Sequence, residues 1–158
     1  MKAASVNEIK KAIQDLDEKE VQEYCLRLAK FKKENKELLT YLLFEAQDEQ
    51  GYVENVKREM DELFNTVPKS NVYLIKKVLR KILRIVNKQI RYSGINETEV
   101  TLRIYFCAKL KKSGIQLHAS TVIFNIYQQQ IKKINAALSK LDEDLQFDYA
   151  KDLEYISK

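Results

Sequence analysis

Residues 70–92, SNVYLIKKVLRKILRIVNKQIRY, decide how this chain is read. Val72, Ile75, Leu79, Ile82, Val86 and Ile90 recur at the three- and four-residue spacing that gathers side chains on one face of an α-helix. On the opposite face, Lys77, Lys81, Arg84, Lys88 and Arg91 fall within about 80° of one another at a helical step of roughly 100° per residue. Arg80 and Lys76 flank them. At a rise of ~1.5 Å per residue the row is about 21 Å long. No Asp or Glu occurs between Glu62 and Glu97, so the row has no partner on its own helix.

Neighbours such as Lys77/Lys81 and Arg84/Lys88 repel by roughly 0.2–0.5 kcal/mol a pair. Burial of a single Val, Leu or Ile side chain contributes about 1.5–3 kcal/mol. The apolar face therefore makes this segment a helix in spite of its charged face, and Ser70 is its expected cap.

The pattern extends in both directions. Ser93-Gly94-Ile95 and Ser113-Gly114-Ile115 each place Gly just past a periodic run, where a helix commonly ends in a left-handed residue. Between them Val100, Leu102, Ile104, Phe106, Cys107 and Leu110 cover most of a helix circumference, which predicts a central, buried helix. Asn96 and Glu99 form a candidate capping pair, so the sequon Asn96-Glu97-Thr98 reads as a helix start. His118 to Ser120 precede a long helix seamed by Ile123, Tyr127, Ile134, Leu138 and Leu141; Leu145 to Ile156 mark a short last one.

Upstream, Ser5/Glu8 and Asp17/Glu20 have capping-box spacing. Val21, Tyr24, Cys25, Leu28 and Phe31 follow in helical register, and a break is expected near Asn35. Leu38, Leu39, Leu42 and Leu43 resume, Gly51 divides that run from Tyr52 to Phe64, and Val67-Pro68 ends it.

The sum is about eight helices in one all-α domain spanning 1–158. With Gly 3 and Pro 1, the chain is too poor in turn residues for a β-rich fold. Successive pairing gives hairpins near 5–31, 34–66, 70–112 and 120–156, the length of helical-repeat units. Residues 28–57, with Leu28-Ala29-Lys30-Phe31-Lys32-Lys33-Glu34-Asn35-Lys36-Glu37-Leu38-Leu39 and Gly51-Tyr52-Val53, look like uncharacterised bacterial all-helical proteins. The coarse arrangement of antiparallel hairpins resembles an armadillo/HEAT-like right-handed stack. The resemblance implies an α-α superhelix or irregular helical bundle and says nothing about activity.

The formal charge of +5 hides a segregation. Residues 69–112 carry 12 basic and 2 acidic side chains, against 11 and 15 in residues 1–68. The sequence allows two placements of the basic row. It faces solvent, or acids such as Glu45, Asp48, Glu49, Glu54 and Asp61 cover it from a neighbouring helix.

Signatures of catalysis are missing. Gly51, Gly94 and Gly114 are too dispersed for a phosphate-cradling loop. Cys25, Cys107 and His118 cannot supply a four-ligand zinc site. A di-metal carboxylate bundle needs Glu-x-x-His twice, and position 115, three before the single His118, is Ile115. Glu45/Glu49 and Glu59/Glu62 read as solvated faces, and Cys25 and Cys107 as buried reduced thiols of a cytoplasmic protein. No apolar run of membrane-spanning length or leader-like segment is present, so neither a membrane span nor secretion is expected.

The resulting expectation is a non-enzymatic cytoplasmic binding or scaffold module, without cofactor or metal, that engages a protein partner. The alternative is a nucleic-acid-binding protein contacting phosphates through helix 70–92, joined by Arg103, Lys109, Lys111 and Lys112. An enzyme with an unrecognised site stands third.

Overall fold

The caps written into the sequence set most helix starts. In a computed structural model describing residues 1–158, the chain is all-α, with nine α-helices and no strand. They are α1 (Val6–Gln14), α2 (Glu18–Phe31), α3 (Lys33–Thr40), α4 (Glu49–Asn65), α5 (Val72–Ser93), α6 (Asn96–Lys112), α7 (Thr121–Leu138), α8 (Glu143–Asp148) and α9 (Ala150–Ser157). Two compact units divide the chain, Met1–Phe44 and Glu45–Lys158.

In the first unit both expected capping boxes form, Ser5 with Glu8 and Asp17 with Glu20. The hydrogen bonds from Ser5 hold the Glu8 carboxyl below its ordinary range. The break expected near Asn35 lies at Lys32, whose backbone is extended at φ −141° and ψ 147°. Asn35 instead bridges that break, its Nδ2 donating to the Leu28 carbonyl at 2.8 Å, one of the carbonyls a helix end leaves without a partner. Residues 41–45 form a π-helical turn where a regular helix was expected to continue. Tyr41 is the one buried residue of this unit, and Leu26, Leu28, Phe31, Leu42 and Leu43 remain exposed. Cys25 is therefore an exposed free thiol, not the buried one its helical pattern suggested. A periodic apolar face is buried only where another element covers it.

The second unit is organised around α6. Val100, Leu102, Phe106, Cys107 and Leu110 are fully buried, and α4, α5, α7 and α9 all pack on this helix. The hub is the helix whose apolar residues encircle it, as read from its sequence. Gly51 proves to lie within the first turn of α4. Asp48 caps that turn by accepting from the Gly51 N–H at 3.0 Å, and a Cβ at 51 would stand 2.2 Å from Asp48 Oδ2. Helix α5 is capped by Asn71, one residue after the expected Ser70, because its side-chain oxygen reaches the Leu74 N–H at 3.1 Å. It ends at Gly94, whose φ of 66° is left-handed, and Gly114 repeats this at φ 76°.

Asn96 and Glu99 do not cap α6. Ile95 occupies the cap position, and Glu49 of α4 supplies an acid at this helix start, accepting from Ser93 Oγ at 2.5 Å and Thr98 Oγ1 at 2.6 Å. A carboxylate there also suits the positive end of the helix dipole. Glu49 is thus a structural acceptor and not part of a solvated face. The expected last helix is two, α8 and α9, with Tyr149 between them bonded to Thr101 at 2.7 Å.

One cation lies in this core. Arg103 is 5% exposed, its Nε donating to Glu99 at 2.8 Å and its Nη1 to Asn87 at 2.9 Å and Gln130 at 2.7 Å. Removing one member of such a pair costs more than replacing the charge itself, because it leaves a buried ion uncompensated. In urea unfolding, Glu99→Leu, which strands the guanidinium, is expected to cost about 3 kcal/mol. Arg103→Met, which removes the buried charge, should cost less than Glu99→Leu. The reverse order would show that the guanidinium does not need Glu99.

Burial also shapes the alkaline limit. It pushes the Cys107 thiol up to about 12 and raises the phenols of Tyr127 and Tyr149; the Tyr127 hydroxyl donates to the Ile156 carbonyl at 2.5 Å. The unfolded chain releases these protons from about 9.0 for the thiol and 10.0 for the phenols, whereas the folded chain keeps them. The folded state then binds more protons, so stability falls as pH rises. Thermal midpoints are expected to be level up to about pH 8.5 and to drop between roughly pH 9 and 12. A level midpoint through pH 11 would contradict this.

Candidate anion-binding surface

Helix α5 is held in rotation by its apolar side. Ile75, Leu79, Ile82, Val86 and Ile90 are buried, which leaves Lys77, Arg80, Lys81, Arg84 and Arg91 exposed, with Lys76 and Lys88 half-buried. Three of the acids named as candidates to cover the row are engaged elsewhere. Asp48 caps α4, Glu54 pairs with Lys57 at 2.8 Å, and Asp61 pairs with Lys109 at 2.8 Å. Lys76, Lys77, Arg80, Lys81, Arg84 and Arg91 take part in no ion pair. Of the two placements the sequence allowed, this part of the row has the solvent-facing one.

The other cations considered for this surface do not join it. Arg103 is buried under α5, and Lys109 is held by Asp61. Lys111 donates to the Tyr155 carbonyl at 2.7 Å, and Lys112 lies 5.8 Å from the centre of the Tyr155 ring. Lys109, Lys111 and Lys112 thus point to the α4 and α9 sides of α6, and Arg103 to the α5 and α7 side, which its sequence could not reveal because α6 is apolar around most of its circumference.

Two depressions border the row. Tyr73, 70% exposed, lines a shallow one of about 390 Å³ with Lys76, Lys77, Arg80 and Arg84. A second, broader and more open one of about 500 Å³ runs between α5 and α7. Leu83, Val122 and Ile126 give it apolar walls, Asn87, Asn125 and Gln129 give it amides, and Arg80 and Arg84 form its edge. Sequence reading missed this cleft. Its trace was Asn125 and Gln129 on α7, four residues apart and so on one helix face.

The remaining polar clusters have assigned roles. The Tyr105 hydroxyl donates to both oxygens of Asp61 at 2.8 Å, with Lys57 and Lys109 each 5.4 Å from its ring centre. Burial, then Asp61, push the Tyr105 phenol up, and the bond to Asp61 raises Lys109, so both stay protonated at neutral pH. Cys107 is wholly buried, while His118 is exposed and stacked on Phe124 at 5.0 Å. No three His, Cys, Asp or Glu side chains converge to hold a metal ion, and no helix is long and apolar enough to cross a membrane. No protein family, curated protein or solved structure matches the chain at a significant level.

An uncompensated row has a signature in stability. Lys77→Glu puts a carboxylate four residues before Lys81 and three before Arg80, exchanging repulsion for attraction. The expected result is a gain of about 0.5 kcal/mol in urea unfolding at low salt, shrinking as salt is added. A loss of stability would mean that Lys77 has a carboxylate partner in solution.

Proposed function

We propose that the protein is a non-enzymatic helical binding module whose α5 face takes an anionic partner. The observation that carries the reading is the solvent-facing row Lys77, Arg80, Lys81 and Arg84, free of ion pairs on a helix whose back is locked into the core. Like charges held together destabilise the free protein slightly and are relieved when an anion binds. A cytoplasmic setting and a scaffold role of the armadillo/HEAT-like kind belong to the same reading; the two free cysteines, one of them exposed, suit a reducing compartment.

Anisotropy of a labelled heparin oligosaccharide tests the charge requirement alone. Binding is expected at 50 mM salt, weakening as salt rises, and it should disappear in the triple variant Lys77→Glu/Lys81→Glu/Arg84→Glu while thermal stability is kept. Failure of the unaltered protein to bind at 50 mM salt, where screening is weak, would refute the reading. Equal binding by the triple variant would do the same.

A further inference from the structure

We infer that the anionic partner is a single-stranded nucleic acid, with its backbone on the Lys77–Arg84 row and its bases turned into the cleft between α5 and α7. The inference rests on the anionic reading of α5 and adds what lies beside it. Arg80 and Arg84 line both depressions, so a phosphate held there has Lys76 and Lys77 on one side and, on the other, a cleft whose remaining lining is uncharged. Guanidinium groups suit this border because their paired N–H donors match phosphate oxygens.

The cleft has the chemistry of bases more than that of further anions. Its apolar walls, Leu83, Val122 and Ile126, offer contact to ring faces, and its amides, Asn87, Asn125 and Gln129, carry both donors and acceptors for base edges. A run of carboxylates in an acidic peptide would find cations there only in Arg80 and Arg84 and would leave the apolar and amide lining unused. Duplex DNA keeps its base faces stacked, and entry of α5 into a major groove about 12 Å wide would require a protruding helix. Helix α5 packs against α4 and forms one wall of the cleft with α7, so it does not protrude. Tyr73, exposed beside Lys76 and Lys77, provides a ring on which one further base can stack.

The cleft is built to keep its width. Asn87 on α5 and Gln130 on α7 both accept from Arg103 Nη1, which ties the two walls together from below. Adjacent glutamines divide the work, with Gln130 buried against the guanidinium and Gln129 in the cleft. A preformed cleft binds without first ordering its walls.

The test is anisotropy with labelled 12-nucleotide single-stranded DNA and RNA of mixed sequence, the matching duplexes and a polyglutamate peptide, at 50 and 200 mM salt. Single strands are expected to bind at least 10-fold tighter than duplexes or polyglutamate. With about five phosphates engaged, their affinity should fall on the order of 100-fold between the two salt concentrations. Tyr73→Ala is expected to weaken single strands roughly 10-fold, in the range of one lost base stack, and to leave heparin binding unchanged. Asn125→Ala/Gln129→Ala should narrow the preference over duplex without touching heparin. These side chains are exposed, so neither variant threatens the fold.

Duplex or polyglutamate binding as tight as single-strand binding would overturn the inference while leaving the anionic surface standing. Unchanged single-strand affinity and preference in both variants would also overturn it. No binding of any probe, heparin included, would remove the surface itself, so the two failures are distinguishable.

Discussion

A single buried cation organises the polar interior of the larger unit. Arg103 projects from the hub helix α6 and is satisfied by its own helix through Glu99, by α5 through Asn87 and by α7 through Gln130. A guanidinium has five donors in a fixed fork and tolerates little change in where its acceptors lie. It therefore works as a spacer, holding α5 and α7 on the same side of α6 at a separation that leaves a cleft above it. Burying a charge contributes little net stability, and its effect here is on arrangement. The apolar core, with Leu79, Ile82, Val86 and Phe106 fully buried, supplies the larger favourable energy.

The charge segregation of the chain takes its meaning from that arrangement. Acids at 48–61 lie close in sequence to the basic block and look like its natural complement. In the fold, Asp48 and Glu49 serve helix starts, and Asp61 serves Tyr105 and Lys109 on α6. Neutralisation happens around the hub, and the outward face of α5 stays positive from Lys77 to Arg84. Mutual repulsion along that face is a few tenths of a kcal/mol a pair, small against the several buried apolar side chains on the other side of the same helix.

Much of the local structure was legible in the residues. Ser5/Glu8 and Asp17/Glu20 close their boxes, Pro68 follows a helix end, and Gly94 and Gly114 take left-handed φ, because each of these devices acts within a few residues. Misreadings came where a residue had two local roles open to it. Gly51 looked like a separator and donates its N–H to the Asp48 cap within the first turn of α4; Glu99 looked like a cap and pairs with Arg103. Cys25 looked buried because its helix is periodic, yet periodicity says which face is apolar and not whether anything covers it. The cleft between α5 and α7 was invisible for the same reason. Its walls come from segments about forty residues apart.

The all-helical class, the bounds of most helices, the hub position of α6 and the two faces of α5, one basic and one apolar, are written in the residues themselves. These follow from periodicity and caps, interactions whose partners lie within a turn or so. Which cations are spoken for depends instead on how the helices pack. Arg103 and Lys109 are absorbed by acceptors, while Lys77, Arg80, Lys81 and Arg84 stand open beside a cleft walled by α7. Charge acts through space, and the distance between two charges is set by packing that the order of residues along the chain does not display.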